Sequence, residues 1–324
     1  MFLALGSAMR RHLAFASTVV ALTFVSNSLC YGWNDRGHMM VAAVAYNKLT
    51  QQKKNRVDAL LLLNPDKDNW IKLIPQGTSS TQKKTLMFMI AATWADRVKG
   101  NPDYHADGTH SGNRPPNDPS ASQNIGYTDH ALHKYWHFED QPFTPDNTPL
   151  PPVPTPNLRT QISAFREVLA STKPDPLKSY DLSWLLHLVG DAHQPLHFTT
   201  RVSSAQPEGD DGGNGVALTA SGASNLHSFW DDVLGTDNSP LHALSAISTL
   251  PNSFPGAVTD LDVNHWAKES LNVAEQSVYK MPIGPGAGPF TISQAYKTDA
   301  VRVAQGRIAL AGARLAKILN EELK

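Results

Sequence analysis

The chain has 324 residues, 41% of them apolar and seven of them Trp, which is enough to bury a large core and too apolar for a disordered chain. A single cysteine excludes a disulfide scaffold. A formal charge of −1 excludes a protein that binds a polyanion through an excess of its own Lys and Arg.

The N-terminal segment offers a second start at Met9, a basic pair Arg10–Arg11 and an apolar run over 13–25, followed by small residues up to Gly32. This pattern predicts a secretory signal peptide over 1–32, since the apolar run is too short to span a bilayer. The mature domain is then 33–324, secreted or periplasmic, with no membrane anchor. The one cysteine, Cys30, leaves with the leader, so any metal must be held by nitrogen and oxygen donors. The remaining 26 basic and 29 acidic residues give a formal charge of −3. Positive charge for an anionic ligand would have to come from bound cations.

Cleavage before Trp33 would place a free α-amine close to His38. An α-amine has a reference pKa near ~8 and closes a five-membered chelate ring with its own carbonyl oxygen. Trp33 as a core aromatic and His38 as a helix-face residue explain the same residues. Helical periodicity runs over 39–49, 51–63 and 85–97, the last ending in Asp96 beside Arg97 and Lys99. An acid at the end of an apolar helix is either salt-bridged or a metal ligand. Residues 101–125 read as a long surface loop, and His105 and His110 within it have no spacing partner.

Residues 130–140, HALHKYWHFED, carry three histidines, of which His137 has the most aromatic surroundings and is the best ligand candidate. After a proline-rich connector over 141–156, helices are predicted over 158–169 and 182–189. His187 and Asp191 are four apart, so on a helix they project from one face and can grip one ion. Pro195 turns the chain, bringing His197 back towards the same point. The glycines of the loop 209–214, GDDGGN, let backbone approach a ligand or form a plain tight turn. His227 and Asp231 repeat the four-residue spacing on a second helix, which packing alone does not explain. Helices over 262–279 and 292–323, separated by a Gly/Pro turn at 282–289, look like scaffold. No convincing strand series appears, so the class is mainly α.

Counting Trp33, the candidate donors comprise five imidazoles and three carboxylates with no thiolate, a set that suits zinc in hydrolytic sites. Nine donor residues exceed the needs of one ion. If Asp191 bridges, they divide among three.

Six motifs now stand together: Trp33-x-x-x-Gly37-His38, Trp94-Ala95-Asp96, Trp136-His137-Phe138, Leu186-His187-x-x-Gly190-Asp191-x-His193-Gln194-Pro195-Leu196-His197, Gly209-Asp210-x-Gly212-Gly213-Asn214, and Asn225-Leu226-His227-x-x-Trp230-Asp231. In these the sequence resembles, over 33–324, the zinc-dependent, single-strand-preferring nucleases of the fungal S-one/P-one type and their plant and bacterial relatives. The resemblance implies a single-domain helical fold of the phospholipase C and S-one/P-one nuclease type with a trinuclear zinc cleft. It implies one zinc ion at Asp96, His137, His187 and Asp191, a second at Trp33, His38 and the bridging Asp191, and a third at His197, His227 and Asp231. It further implies that Phe138 stacks on a base, that Asp140 reads the base edge or assists at the phosphate, and that the loop 212–214, with Gly213 and Asn214, lines the cleft.

The implied activity is hydrolysis of single-stranded DNA and RNA to 5′-phosphate products, with release of phosphate from 3′-mononucleotides, by a monomer without an obligate protein partner. Asp140 and Asp191 are the candidate catalytic carboxylates. His193 lies inside the motif but is expected beside the ligands rather than among them. Two departures stand out. The fungal and plant relatives carry disulfides that this chain cannot form, and Asp232 takes the substrate-facing position where fungal members often have an amide.

Two other readings compete. A zinc-dependent phospholipase C would have a His-x-x-x-Glu second pair, where this chain has Asp231, and a wider spacing than Trp33 to His38. A non-catalytic metal- or nucleic-acid-binding module would not need the full ligand set.

Overall fold

The computed structural model describes residues 32–324 except Ala220 and Phe254. The predicted signal peptide therefore lies outside the described residues save for Gly32. Among the described residues twelve α-helices form the body: α1 (Asp35–Lys48), α2 (Gln51–Leu61), α3 (Lys67–Lys72), α4 (Ser80–Ala91), α5 (Trp94–Arg97), α6 (Leu158–Ala170), α7 (Asp175–Asp191), α8 (Leu226–Asp231), α9 (Pro240–Ala246), α10 (Pro255–Thr259), α11 (Val263–Val273) and α12 (Gln294–Glu322). Among the described residues the strands are two-residue pieces: β1 (Pro142–Phe143) pairs in parallel with β2 (Thr200–Arg201), and β3 (Leu218–Thr219) with β4 (Phe290–Thr291). The fold is mainly α, as expected.

The centre of the molecule is α7. Every residue from Lys178 to Asp191 is buried, which marks a helix covered on all sides rather than one with a wet face. Helices α6, α2, α1, α5 and α12 surround it, and α1 packs in turn on α12, α4 and α9. The main core holds the apolar faces of these helices together with Trp33, Trp94, Trp136 and Trp184. A smaller second core, around Leu196, Leu226, Trp230 and Tyr296, supports α8. The end of α7 therefore lies where the two cores meet.

Local sequence explains the element boundaries that matter here. Helix α1 begins at Asp35 rather than Met39 because the Asn34 side chain caps it by accepting from the Gly37 N–H. The single helix expected over 85–97 is two, broken at Ala92 and Thr93, and the break frees the Ala92 carbonyl from helix hydrogen bonding. After α7, Pro195 opens a 3₁₀ turn over Pro195–Phe198, as its missing N–H and fixed φ favour. The Gln194 side chain caps that turn by accepting from the Leu196 N–H at 2.6 Å. The segment 141–143 then lies beside this turn: the Thr200 N–H donates to the Gln141 carbonyl at 3.1 Å.

Candidate metal centre

His187 and Asp191 sit on one face of α7, and three further elements bring side chains to the same face. Helix α5 brings Asp96, the segment after a 3₁₀ turn at Lys134–Trp136 brings His137, and α1 brings His38. All five side chains are buried. His137 Nδ1 lies 3.0 Å from His187 Nε2, 3.2 Å from Asp191 Oδ2 and 3.8 Å from Asp96 Oδ1. His187 Nε2 lies 3.3 Å from Asp191 Oδ2 and 3.6 Å from Asp96 Oδ1. A tetrahedral ion with bonds of about 2.0–2.1 Å sets its ligand atoms about 3.3–3.4 Å apart. The five spacings scatter around that edge length, so these four side chains fit one zinc-sized ion.

The other Asp191 oxygen faces elsewhere. Its Oδ1 lies 3.3 Å from His38 Nε2, and both atoms are buried without a hydrogen bond. The His38 ring stacks on that of His187 at 3.8 Å and presses against Gly190, where an added Cβ would stand 2.7 Å from His38 Nδ1. Gly32 approaches the same point: a Cβ there would meet Asp191 Oδ1 at 1.7 Å and His38 Nε2 at 3.1 Å. The backbone preceding Trp33 thus lies against the outer face of Asp191. In the uncleaved chain the Trp33 nitrogen is a peptide amide, a poor metal donor compared with the amine that cleavage would expose.

A third group gathers across the turn. His197 Nε2 lies 3.1 Å from His227 Nε2, which lies 3.5 Å from Asp231 Oδ2. Gln194 Nε2 donates to Asp231 Oδ1 at 2.7 Å, leaving Oδ2 towards the two rings. The structure therefore brings together every side chain named as a ligand from the sequence: among the described residues the groups able to hold metal are His38, Asp96 and His187; His137, His187 and Asp191, which share His187 with the first; and His197, His227 and Asp231.

Backbone carbonyls aim three of the rings. His187 Nδ1 donates to the Ala92 carbonyl at 2.8 Å, His197 Nδ1 to His137 at 2.7 Å, and His227 Nδ1 to Gly212 at 2.7 Å. With Nδ1 protonated by these bonds, Nε2 is the ring nitrogen that carries the lone pair and would face an ion. The break after α4 and the glycine loop acquire a purpose in this way. Gly212 has φ +58°, and a Cβ there would meet the Leu196 carbonyl at 2.8 Å, so glycine is required for the carbonyl to reach His227.

Burial penalises the charged forms of Asp96 and Asp191, and neighbouring positive charge outweighs it. Asp96 is held at about 2, chiefly by Lys99, whose Nζ donates to Asp96 Oδ1 at 2.6 Å, and by His187. The imidazoles of His187 and His197 keep Asp191 well below the usual carboxylate range. Burial and Lys99 push His137 down to about 3, whereas Asp191 and Asp96 overcome burial to raise His187. Asp96 is thus both salt-bridged and at the centre. Lys99, Gln194 and the Ala92 carbonyl were the partners hardest to foresee; only the proximity of Lys99 to Asp96 and of Gln194 to Pro195 hinted at two of them.

His193 is not at the centre. It donates through Nδ1 to the Val189 carbonyl at 2.8 Å, and its Nε2 accepts from Arg314 of α12 at 3.0 Å. Burial and the nearby Arg307 and Arg314 hold its pKa far down, so it is neutral. Helix α12, read as plain scaffold, therefore fixes the back of the motif through Arg314, which is itself held by Glu269 of α11. His105 and His110 are exposed and join no group.

The substrate-facing candidates surround the centre. A cleft of about 600 Å³ is lined by Asn34, Asp96, Asn214, His227, Asp231 and Asp232. Asp232 accepts from Asn34 Nδ2 at 2.8 Å and is thereby turned towards the start of α1. Gly213 is buried beside His227, its carbonyl accepting from the His227 N–H at 3.4 Å. Phe138 and Asp140 line a neighbouring cavity of about 280 Å³ and, with Gly212 and His227, a narrow slot of about 10 Å³, room for one water. Burial, then Asp211 and Asp210, push Asp140 up to about 7.

A family model described as S1/P1 Nuclease matches residues 33–324. Endonuclease 4 of Arabidopsis thaliana is 28% identical over 173 residues, 47% of this chain and 54% of that protein. Endonuclease 5 of the same plant is 31% identical over 157 residues, 43% of this chain and 49% of that protein. The chain spans about half the length of the curated relatives it matches. With the family model covering nearly the whole chain, the chain belongs to the S1/P1 nuclease family.

Proposed function

We propose that this protein is a zinc-dependent endonuclease that cleaves single-stranded DNA and RNA to 5′-phosphate products and removes phosphate from 3′-mononucleotides. The observation that carries the reading is Asp191, with Oδ2 closing a His/Asp tetrad and Oδ1 turned to His38, next to a third group and an open cleft. Asp96, His137, His187 and Asp191 would hold one ion; Trp33, His38 and Asp191 a second; His197, His227 and Asp231 a third. When bound, zinc supplies a Lewis acid for the phosphoryl oxygens and lowers the pKa of water from 15.7 to roughly 7.

The remaining work falls to the chain. Water adds to phosphorus, the P–O3′ bond breaks, and the 3′-oxygen takes up a proton. Lys99 neutralises Asp96, so the centre accepts a phosphate without an excess of negative charge. Phe138 offers a face on which an unpaired base stacks, an interaction worth about 1–3 kcal/mol per base that duplexes cannot make without opening. Asp140 meets the base edge or the phosphate, and Gly213 and Asn214 line the opposite wall. Asp232, held by Asn34, keeps its charge directed away from the phosphate. Residues 1–32 are read as a leader whose removal exposes the Trp33 amine, with the product secreted or periplasmic. Among the described residues no helix is long and apolar enough to cross a membrane.

The test is an assay of protein beginning at Trp33 on single-stranded DNA, RNA, 3′-AMP and phosphatidylcholine, each with and without chelator. Chelator-sensitive release of nucleotide or phosphate from the first three is expected. Hydrolysis of phosphatidylcholine alone would overturn the reading in favour of a phospholipase.

A further inference from the structure

The loop 101–129 reaches the substrate region, where Asn113, Arg114 and Pro115 line the 280 Å³ cavity and take no part in the metal chemistry. Thr109 and Arg114 close a tight turn, the Thr109 N–H donating to the Arg114 carbonyl at 2.8 Å and the Arg114 N–H to the Thr109 carbonyl at 3.1 Å. The turn is tied down from outside by Lys134 Nζ, which donates to the Ser111 carbonyl at 3.0 Å. Asn113, at its end, lines both the 280 Å³ cavity and the narrow slot. Phe138 and Asp140 line the same two spaces, and His227 lines the slot. Pro151 and Pro152 form part of the cavity wall. A base entering the 280 Å³ cavity would lie against Phe138.

The Asn113 carboxamide is half-buried and makes no hydrogen bond among the described residues. The neighbouring polar side chains are engaged or charged: Arg114 pairs with Glu208 at 3.9 Å, and Arg159 pairs with Glu139 at 2.8 Å. A carboxamide presents one donor and one acceptor side by side in a fixed plane, the pattern that matches the amino donor and ring-nitrogen acceptor of adenine. Its position on a pinned turn means that little ordering accompanies binding.

We propose that Asn113 is a base-selecting residue, its carboxamide hydrogen-bonding the edge of a nucleobase, adenine best, that lies against Phe138. The inference rests on the nuclease reading and adds a selecting group from a different part of the chain.

Specificity constants are compared for 3′-AMP, 3′-CMP and 3′-UMP, and for poly(A) against poly(U), with the wild-type enzyme, Asn113→Ala and Asn113→Asp. Ratios between substrates cancel any loss of folded enzyme. The wild type should favour adenine over uracil, and Asn113→Ala should reduce that ratio about fivefold or more, the low end of discrimination by a paired edge contact. Asn113→Asp, which replaces the donor with an acceptor, should raise cytosine relative to uracil, because a carboxylate accepts from the cytosine amine. Equal scaling of all substrates, or unchanged ratios, in both variants would overturn the assignment. A wild-type enzyme inactive on every substrate would instead overturn the nuclease reading on which it rests.

Discussion

Asp191 serves two sides of the centre at once, which no substitute can reproduce. An asparagine has the same shape, but its amide nitrogen carries protons and presents no lone pair, so only one side keeps an oxygen. Asp191→Asn should therefore lower the zinc content by at least one ion per chain and reduce kcat/KM on single-stranded DNA by more than about 100-fold, beyond the 10–100-fold typical of supporting residues. Elemental analysis beside the kinetic assay checks both, and a full zinc count with activity within tenfold would remove Asp191 from the bridge. A second buried group tests the scaffold around His137. His133 has φ +42° and stacks on Trp136 at 3.5 Å. Its Nδ1 lies 2.6 Å from Asp107 Oδ2 and its Nε2 3.0 Å from Asp129 Oδ2, with Tyr135 and Tyr180 donating to the same carboxylates. Burial alone would lower the imidazole pKa; the two carboxylates outweigh it and raise it, while the His133 contact overcomes burial to lower that of Asp107. A raised histidine contributes stability below its unfolded value and loses it as pH rises through the folded one, and the lowered aspartate contributes above its own unfolded value. His133→Gln, which cannot serve both acids, should cost about 3 kcal/mol, the low end for breaking a buried pair, because the carboxylates keep 15% and 11% exposure. The deficit in thermal stability should be largest between about pH 4 and pH 6.5 and shrink above that. A deficit independent of pH would show that His133 acts by packing alone.

At the level of elements, spacing made the ligands legible and backbone detail remained hidden. The pairs His187/Asp191 and His227/Asp231 follow from helical geometry, and the return of His197 follows from Pro195. The break between α4 and α5 did not, because the apolar run through Ala91 and Ala92 reads as continuous helix; tertiary demand for the Ala92 carbonyl by His187 competes with propensity there. Helix α9 is not among the helices predicted from the sequence, for want of a clear apolar period, although Ser239 caps it and Pro240 opens it. The role of Asn113 depends on a loop closing over a cavity, which no spacing encodes. Gly190 shows the limits of local rules most directly. Alanine in a helix interior is favoured over glycine by about 1 kcal/mol, yet at this position its Cβ would stand 2.7 Å from His38 Nδ1. Gly190→Ala should therefore move the His38 ring, lower the bound zinc and reduce activity by at least about tenfold. A variant about 1 kcal/mol more stable with unchanged zinc would show that α1 and α7 have room to separate.

For the whole molecule, the question is what holds the junction of the two cores together. A single cysteine precludes an internal disulfide, and the junction is lined with buried groups that dislike one another's company without a counter-ion. Asp191 Oδ1 and both nitrogens of His38 lack hydrogen bonds, and His137 Nε2 does as well. The donors come from α1, α5, α7, α8 and the segments around His137 and His197, so bound zinc would tie together elements distant in the chain. It would act as the cross-link that disulfides provide in small secreted domains. Each ion held at 100 times its dissociation constant contributes about 2.7 kcal/mol to the folded state. A shift of 1 kcal/mol moves Tm by roughly 2–4 °C in a domain of 150–250 residues, and somewhat less in a larger one. Chelation of protein beginning at Trp33 should therefore lower Tm by roughly 10 °C or more, and added zinc should restore it. The same chain with one residue added before Trp33 should recover less, because its terminal nitrogen is again an amide. If chelation leaves Tm unchanged while abolishing activity, the junction is held by packing alone and the metal groups serve only chemistry.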